Sequence, residues 1–231
     1  MTLLKYLQTF YSFSRRKAFR LIRKGKVRVN GEVITQPLHE VEEGDEVEVE
    51  GYVPGGFRRM TYVAFNKPPG FVVSRSDPYH ATIYTLLPPD LYDLKAVGRL
   101  DKPSEGLLLL TNDGELIHRL THPKYGVPRG YVVEVSPPPD ERLIRRILSG
   151  IEDGGEVLRA HEARITHGGS LFVVLKQGRY REIRRMMRRV GRRVKRLKRV
   201  FYGTVNLDLP PGGWRYLTEE EVRSLKDLVG L

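Results

Sequence analysis

One aspartate stands where carboxylate chemistry is possible. Asp101 lies between Arg99 and Lys102, just ahead of an apolar run from Gly106 to Leu110. A carboxylate at the mouth of a buried strand is costly unless a cation or hydrogen-bond donors meet it. Cations are supplied by QGRYREIRRMMRRVGRRVKRLKRVFYG, Gln177 to Gly203. In a helix from Arg181 to Val190, Ile183, Met186, Met187 and Val190 recur at helical spacing and form a buried stripe. Arg181, Arg185 and Arg188 then project away from the stripe and suit phosphate contacts. Arg184 and Arg189 lie at its edges, where a guanidinium can reach inward. An inward arginine needs a carboxylate partner, and Asp101 is a plausible one. Taken alone, however, Asp101 reads first as an aspartate that caps a turn.

Other chemistries are poorly supported. The chain of 231 residues has no cysteine, which excludes disulfides, thiolate zinc sites, iron–sulfur ligation and a Cys nucleophile. His118 and His122 are four residues apart, but Pro123 follows and no third ligand is near, so an ordinary helix-end pair is expected rather than a metal site. There is no GxxxxGK[ST] phosphate loop and no GxSxG nucleophile turn. The N-terminus lacks the unbroken apolar core of a signal peptide, and no 18-residue apolar run occurs, so a soluble cytoplasmic protein is expected.

Forty Lys and Arg against 28 Asp and Glu give a formal charge of +12. Its distribution is more informative than its size. Residues 1–30 carry nine bases (Lys5, Arg15, Arg16, Lys17, Arg20, Arg23, Lys24, Lys26, Arg28) and no acid, whereas residues 31–50 carry eight acids and no Lys or Arg. Lys176 to Arg199 holds thirteen bases and one acid, Glu182, so this segment equals the whole chain's excess. Two basic segments, both read as helically periodic, point to nucleic acid.

The elements around these residues can be read coarsely. Ser14 caps a helix running to about Lys24 and ended by Gly25, with Ala18, Leu21 and Ile22 inward. Val27 to Ile34 pairs two short strands across Asn30-Gly31, and Gly44 to Gly51 holds a third strand. Gly51 to Met60 is Gly/Pro-rich and reads as a linker. Beyond it, YVAFNKPPGFVV, KAVGRL, GLLLLT, YVVEV and SLFVVLK read as strands, and ELIHRL, DERLIRRILSG and REIRRMMRRVG as helices. Several strands are continuous apolar runs, which implies a central sheet covered on both faces. The class is α+β, with a module over 1–50, a linker over 51–60 and a larger domain over 61–231.

Two resemblances sharpen this. LLKYLQ…SRRKAFRLIRKGKVRVNGEVI…VEEGDEVEVEG, within residues 1–50, resembles the small RNA-binding domain named for ribosomal protein S-four. FNKPPGFVVS, VGRLDKPSEGLLLLTNDGEL, HPKYGVPRGYVVEV and the Gln177 to Gly203 stretch follow in the order seen in bacterial ribosomal RNA pseudouridine synthases of the RsuA type. The resemblance covers essentially the whole chain. It implies a mainly antiparallel mixed sheet flanked by helices, and isomerisation of a uridine in ribosomal RNA by a monomer without metal or cofactor. It implies Asp101 as the catalytic aspartate, Tyr131 stacking on the flipped base, and Arg184 paired with Asp101. Arg99 is implied in opening the base stack. Arg15, Arg16, Lys17, Arg20, Arg23, Lys24, Lys26, Arg28, Arg181, Arg185 and Arg188 are expected to contact RNA. The chain departs from the pattern at Arg129-Gly130, where Lys-Thr is common, at Ser104-Glu105-Gly106, where Thr-Ser-Gly is common, and at Glu182, where Gln is usual. Nucleophilic addition by Asp101 and abstraction of a sugar proton both remain open. A non-catalytic RNA-binding assembly factor is the alternative, and the joint presence of Asp101, Tyr131 and Arg184 argues against it.

Overall fold

The computed structural model describes residues 1–11, 13–52 and 60–231, in two compact units, one up to Tyr52 and one from Met60. Most of the expected linker, residues 53–59, lies outside the described residues.

The first unit holds α1 (Leu3–Phe10), α2 (Arg15–Arg23), β1 (Val27–Val29), β2 (Glu32–Val33) and β3 (Val47–Val49). The Ser14 side chain accepts from the Lys17 N–H at 3.2 Å and starts α2. Ala18 and Ile22 are fully buried. Asn30 and Gly31 both take positive φ, as a tight hairpin between β1 and β2 requires. Helix α1 has no charge pattern to announce it. Its Leu3, Leu4 and Leu7 form the apolar stripe that packs beneath the sheet β2-β1-β3.

The second unit follows with β4 (Tyr62–Lys67), β5 (Lys95–Ala96), β6 (Glu105–Thr111), α3 (Gly114–Thr121), β7 (Arg129–Ser136), α4 (Glu141–Ser149), β8 (Ile151–Asp153), β9 (Glu156–Leu158), β10 (Glu162–Ile165), β11 (Leu171–Leu175), α5 (Glu182–Arg189), β12 (Arg193–Tyr202), β13 (Val205–Asn206), β14 (Trp214–Tyr216) and α6 (Glu219–Leu228). The main sheet runs β10-β11-β7-β12-β6-β4-β14, with β5 on β6 and β13 on β12. It is antiparallel except for the β12–β6 pair, so the sheet is mixed and mainly antiparallel. Alternation along β6 places Leu107 and Leu109 in one core with Leu116 and Leu120 of α3, and Leu108 and Leu110 in another with Ile83 and Leu91. The sheet is therefore covered on both faces, and each such leucine contributes roughly 1.5–3 kcal/mol of burial.

Two readings are corrected. The basic run after Gly191 is not helical: Arg193–Tyr202 is the ten-residue strand β12, in the middle of the sheet. Val194, Leu197 and Val200 recur every third residue, a spacing that suits a helix, but pairing on both edges, with two register shifts along β7, makes the segment a strand. KAVGRL contributes only the two residues of β5.

The register explains how the sheet can carry a site. Lys67 pairs with Gly106, Gly106 with Arg199, and Arg199 with Tyr131, one row across four strands. Gly106 has φ +106°, and a Cβ there would stand 2.2 Å from the Arg199 carbonyl oxygen. Only glycine lets β6 and β12 approach this closely. Gly106→Ala should therefore destabilise the fold by about 2–5 kcal/mol. Urea unfolding checks this through a lowered midpoint with an unchanged slope.

Candidate active site

Asp101 sits on the turn between β5 and β6, closed by the Ser104 N–H donating to the Asp101 carbonyl at 2.9 Å. Behind the turn lies Lys67, the last residue of β4 and fully buried. Its ammonium donates to the carbonyl oxygens of Ser104 at 2.6 Å, Pro68 at 3.1 Å, and Asp101 and Lys102 at 3.3 Å each. Burial pushes Lys67 down to about 8, against the opposing pull of the Asp101 and Glu105 carboxylates. The four carbonyls satisfy a charge that could not otherwise be buried. Lys67 thereby ties the Asp101 turn to the central sheet.

The Asp101 side chain is 28% exposed, and two guanidiniums approach its Oδ2, Arg181 Nη1 at 3.7 Å and Arg184 Nε at 3.8 Å. Both distances are too long for hydrogen bonds, so the attraction is Coulombic and the carboxylate lone pairs stay available. Arg184 is fixed instead by donating from Nη2 to Ser104 Oγ at 3.2 Å. Burial and the neighbouring Arg181 cation push the Arg184 guanidinium below its ordinary value, with Asp101 opposing. Asp101 lies on the wall of a cleft of about 600 Å³, lined also by Arg99, Tyr131, Tyr180 and Arg199. That volume lies in the range of small-molecule sites. Tyr131 on β7 is 9% exposed, and it borders both this cleft and a smaller cavity of about 90 Å³ beside Asp101.

Several flanking groups have no obvious signal in the sequence. Arg199 on β12 is buried, donates from Nε to the Leu107 carbonyl at 2.6 Å, and keeps a buried Nη2 without a hydrogen-bond partner among the described residues. Arg129 is buried against Tyr202, and its guanidinium occupies the space a Cβ on Gly178 would need. Their basic, polar identities hide them from a search for apolar periodicity, and only the strand register exposes them.

The expected phosphate contacts divide. Arg185 donates to Asp153 at 2.5 Å and Glu156 at 2.8 Å, and Arg189 also pairs with Asp153. The β8–β9 hairpin so clamps α5, and Arg185 serves the fold rather than presenting a free cation; Arg188 is exposed with no partner among the described residues. Arg181 leans on Asp101. In the first unit, the Lys17 ammonium lies 4.1 Å from the Phe13 ring centre and 4.2 Å from that of Tyr52, Lys26 pairs with Glu50 at 2.7 Å, and Arg28 donates to the Gly31 carbonyl at 2.9 Å. These three are engaged within the unit. Arg15, Arg16, Arg20, Arg23 and Lys24 are exposed without partners among the described residues.

Comparison with known proteins is consistent along the chain. Residues 61–189 match the RNA pseudouridylate synthase family, and residues 1–47 match the S4 domain. The ribosomal small subunit pseudouridine synthase A of Pseudomonas aeruginosa is 36% identical over 97% of this chain and 100% of its own length. The ribosomal large subunit pseudouridine synthase B of Bacillus subtilis is 36% identical over 93% of this chain and 91% of its own. A crystal structure of a pseudouridylate synthase superposes with a TM-score of 0.72 at 31% identity, covering 97% of this chain and 99% of that one.

Glu182 is the acid at the start of α5, where Gln is usual. It is 3% exposed; its Oε2 accepts from the Arg179 N–H at 3.2 Å, and its Oε1 is buried without a hydrogen-bond partner among the described residues. Burial pushes its carboxyl up to about 7, against the Arg179 N–H and the Arg179, Arg129 and Arg185 cations. A carboxyl raised in the folded state holds its proton while the unfolded chain has lost it, so stability falls as pH rises from the ordinary carboxylate range to about 7. Glu182→Gln should raise the melting temperature of the second unit at pH 8 by roughly 2–8 °C and leave it little changed near pH 4. Calorimetry at the two pH values checks this.

Proposed function

The chain belongs to the RNA pseudouridylate synthase family, and we propose that it converts uridine to pseudouridine in ribosomal RNA, with Asp101 as the catalytic aspartate. The observation that carries this reading is a carboxylate on the wall of a cationic cleft, 3.7 and 3.8 Å from two guanidiniums yet hydrogen-bonded to neither. A surface meant only to hold phosphates gains nothing from a negative charge there, since it repels them. A carboxylate with free lone pairs is what nucleophilic or base chemistry at a ribose requires.

Isomerisation breaks the N1–C1′ bond of the uridine, turns the uracil, and joins C5 to C1′. The proton leaves C5 and N1 ends protonated, so the balance needs no oxidant, no water and no metal. In this reading Tyr131 offers a ring face to the extruded uracil. Arg184, anchored on Ser104, holds its charge beside Asp101 as charge shifts during bond breaking. Arg99, exposed at the cleft, is placed to meet the strand from which the base has left. Five unengaged cations of the first unit, Arg15, Arg16, Arg20, Arg23 and Lys24, hold RNA by its phosphates. The protein acts as a cytoplasmic monomer.

Asp101→Asn should retain RNA affinity and lose pseudouridine formation by roughly 10⁴-fold or more, as for removal of a nucleophile. Tritium release from 5-tritiated ribosomal RNA measures this, and turnover near the wild-type rate overturns the assignment. Arg188→Gln should reduce the slope of log affinity against log salt by about 0.7, the loss of one phosphate contact on a single strand. Arg185→Gln should lower the melting temperature instead, because its partners are Asp153 and Glu156.

A further inference from the structure

We propose that Tyr180 is a stacking platform at the rim of the Asp101 cleft, holding the base of an RNA nucleotide that flanks the target uridine. The inference deepens the pseudouridine synthase reading and rests on it. Tyr180 lines the cleft that contains Asp101, and it is 72% exposed. Its ring and hydroxyl have no partner among the described residues, so the fold makes no use of this aromatic surface. An aromatic side chain left so bare at a binding cleft is suited to a planar partner.

The backbone around it is anchored. The Arg179 N–H donates to Glu182 Oε2 at 3.2 Å, the Arg179 guanidinium donates to the Val157 carbonyl at 2.9 Å, and the Glu182 N–H donates to the Arg179 carbonyl at 3.3 Å. Arg181 takes the left-handed conformation, with φ +48°, which α5 holds in place from the next residue on. The turn thus presents Tyr180 from fixed neighbours, which lowers the ordering cost of binding. Tyr79 makes the contrast. It is 86% exposed, but its ring packs edge-on against His80 at 6.5 Å and is not among the residues lining the cleft.

Base extrusion gives a second ring at this place a role. Tyr131 is nearly buried and serves the extruded base, whereas extrusion leaves the neighbouring nucleotide without its stacking partner. An exposed ring beside the cleft replaces that lost face, and it tolerates any base because every base has a π surface.

The test compares the wild-type protein with Tyr180→Phe and Tyr180→Ala. Binding is read with fluorescein-labelled decauridine at low and high salt, and turnover with ribosomal RNA transcripts. Tyr180→Ala should weaken decauridine binding by roughly 5- to 150-fold, the loss of one base stack. The factor should be the same at both salt concentrations, since a stack releases no counterions. The half-saturating transcript concentration should rise while the maximal rate holds, and Tyr180→Phe should stay within about twofold of wild type on every measure. Wild-type binding by Tyr180→Ala, an equal loss in Tyr180→Phe, or a factor that vanishes at high salt would overturn the proposal. If the wild-type protein forms no pseudouridine in the transcripts, the catalytic reading fails instead, and the decauridine comparison still decides the stack.

Discussion

A buried ammonium enclosed by four backbone carbonyls sets the position of Asp101. Lys67 closes β4, and every carbonyl it reaches lies either next to it or on the turn that carries the aspartate. The Asp101 and Lys102 carbonyls also accept from the Ser104 and Gly70 N–H groups, so losing the ammonium would cost the Ser104 carbonyl its 2.6 Å partner and the turn its tie to β4. The arrangement turns a flexible feature, a loop ahead of a strand, into an extension of the sheet. Catalytic groups need placement within fractions of an ångström, and a sheet interior is the stiffest support a protein offers.

The same row of the sheet organises the rest of the site. Lys67, Gly106, Arg199 and Tyr131 are consecutive cross-strand neighbours, so one register fixes all four. A slip by one residue on any strand would send its side chain to the opposite face. Gly106 is the joint of this row, because it allows β12 to run parallel to β6 at a separation no side chain tolerates. The sheet's one parallel pairing among the described residues is therefore also the pairing on which the site is built.

Much of this was legible in the residues. The Asn30-Gly31 hairpin, the Ser14 cap and the Ile183, Met186, Met187 stripe are local signals, and each has its expected place. Asp101 and Arg184 could be paired from the need of an inward arginine for a carboxylate, and they stand 3.8 Å apart. What was hidden depends on long-range pairing. The burial of Lys67 and Arg199 is not legible, because nothing near them in sequence says that carbonyls 34 to 37 residues away, or 92 residues away, will receive them. Strand β12 was hidden for a related reason. Half of its ten residues are cations, and only its place between β7 and β6 shows that it is a strand.

The charge excess likewise changes meaning once partners are known. The segment from Lys176 to Arg199 equals the whole excess of the chain, which suggests a continuous track for RNA. Yet Arg185, Arg189, Arg192 and Arg196 are engaged with Asp153, Glu156, Asp140, Glu105 and Glu134, and Arg199 is sealed in the sheet. Those cations hold α5, β12 and the turn between them against acidic residues of β6, β7, β8 and β9 and the Asp140 cap of α4. Among the described residues, Lys176, Arg188, Arg193 and Lys195 are left exposed without partners. A long-range field still draws RNA to this side, because pairing does not remove a net charge. In the proposed reading, affinity and specificity rest on few points: the unengaged cations for the phosphates, and the rings of Tyr131 and Tyr180 for the bases. Asp77 also lines the cleft but is taken up by the Tyr79 N–H and His80, whereas Asp101 faces two guanidiniums without a hydrogen bond to either, and in the proposed reading that separates a site for chemistry from a surface for binding.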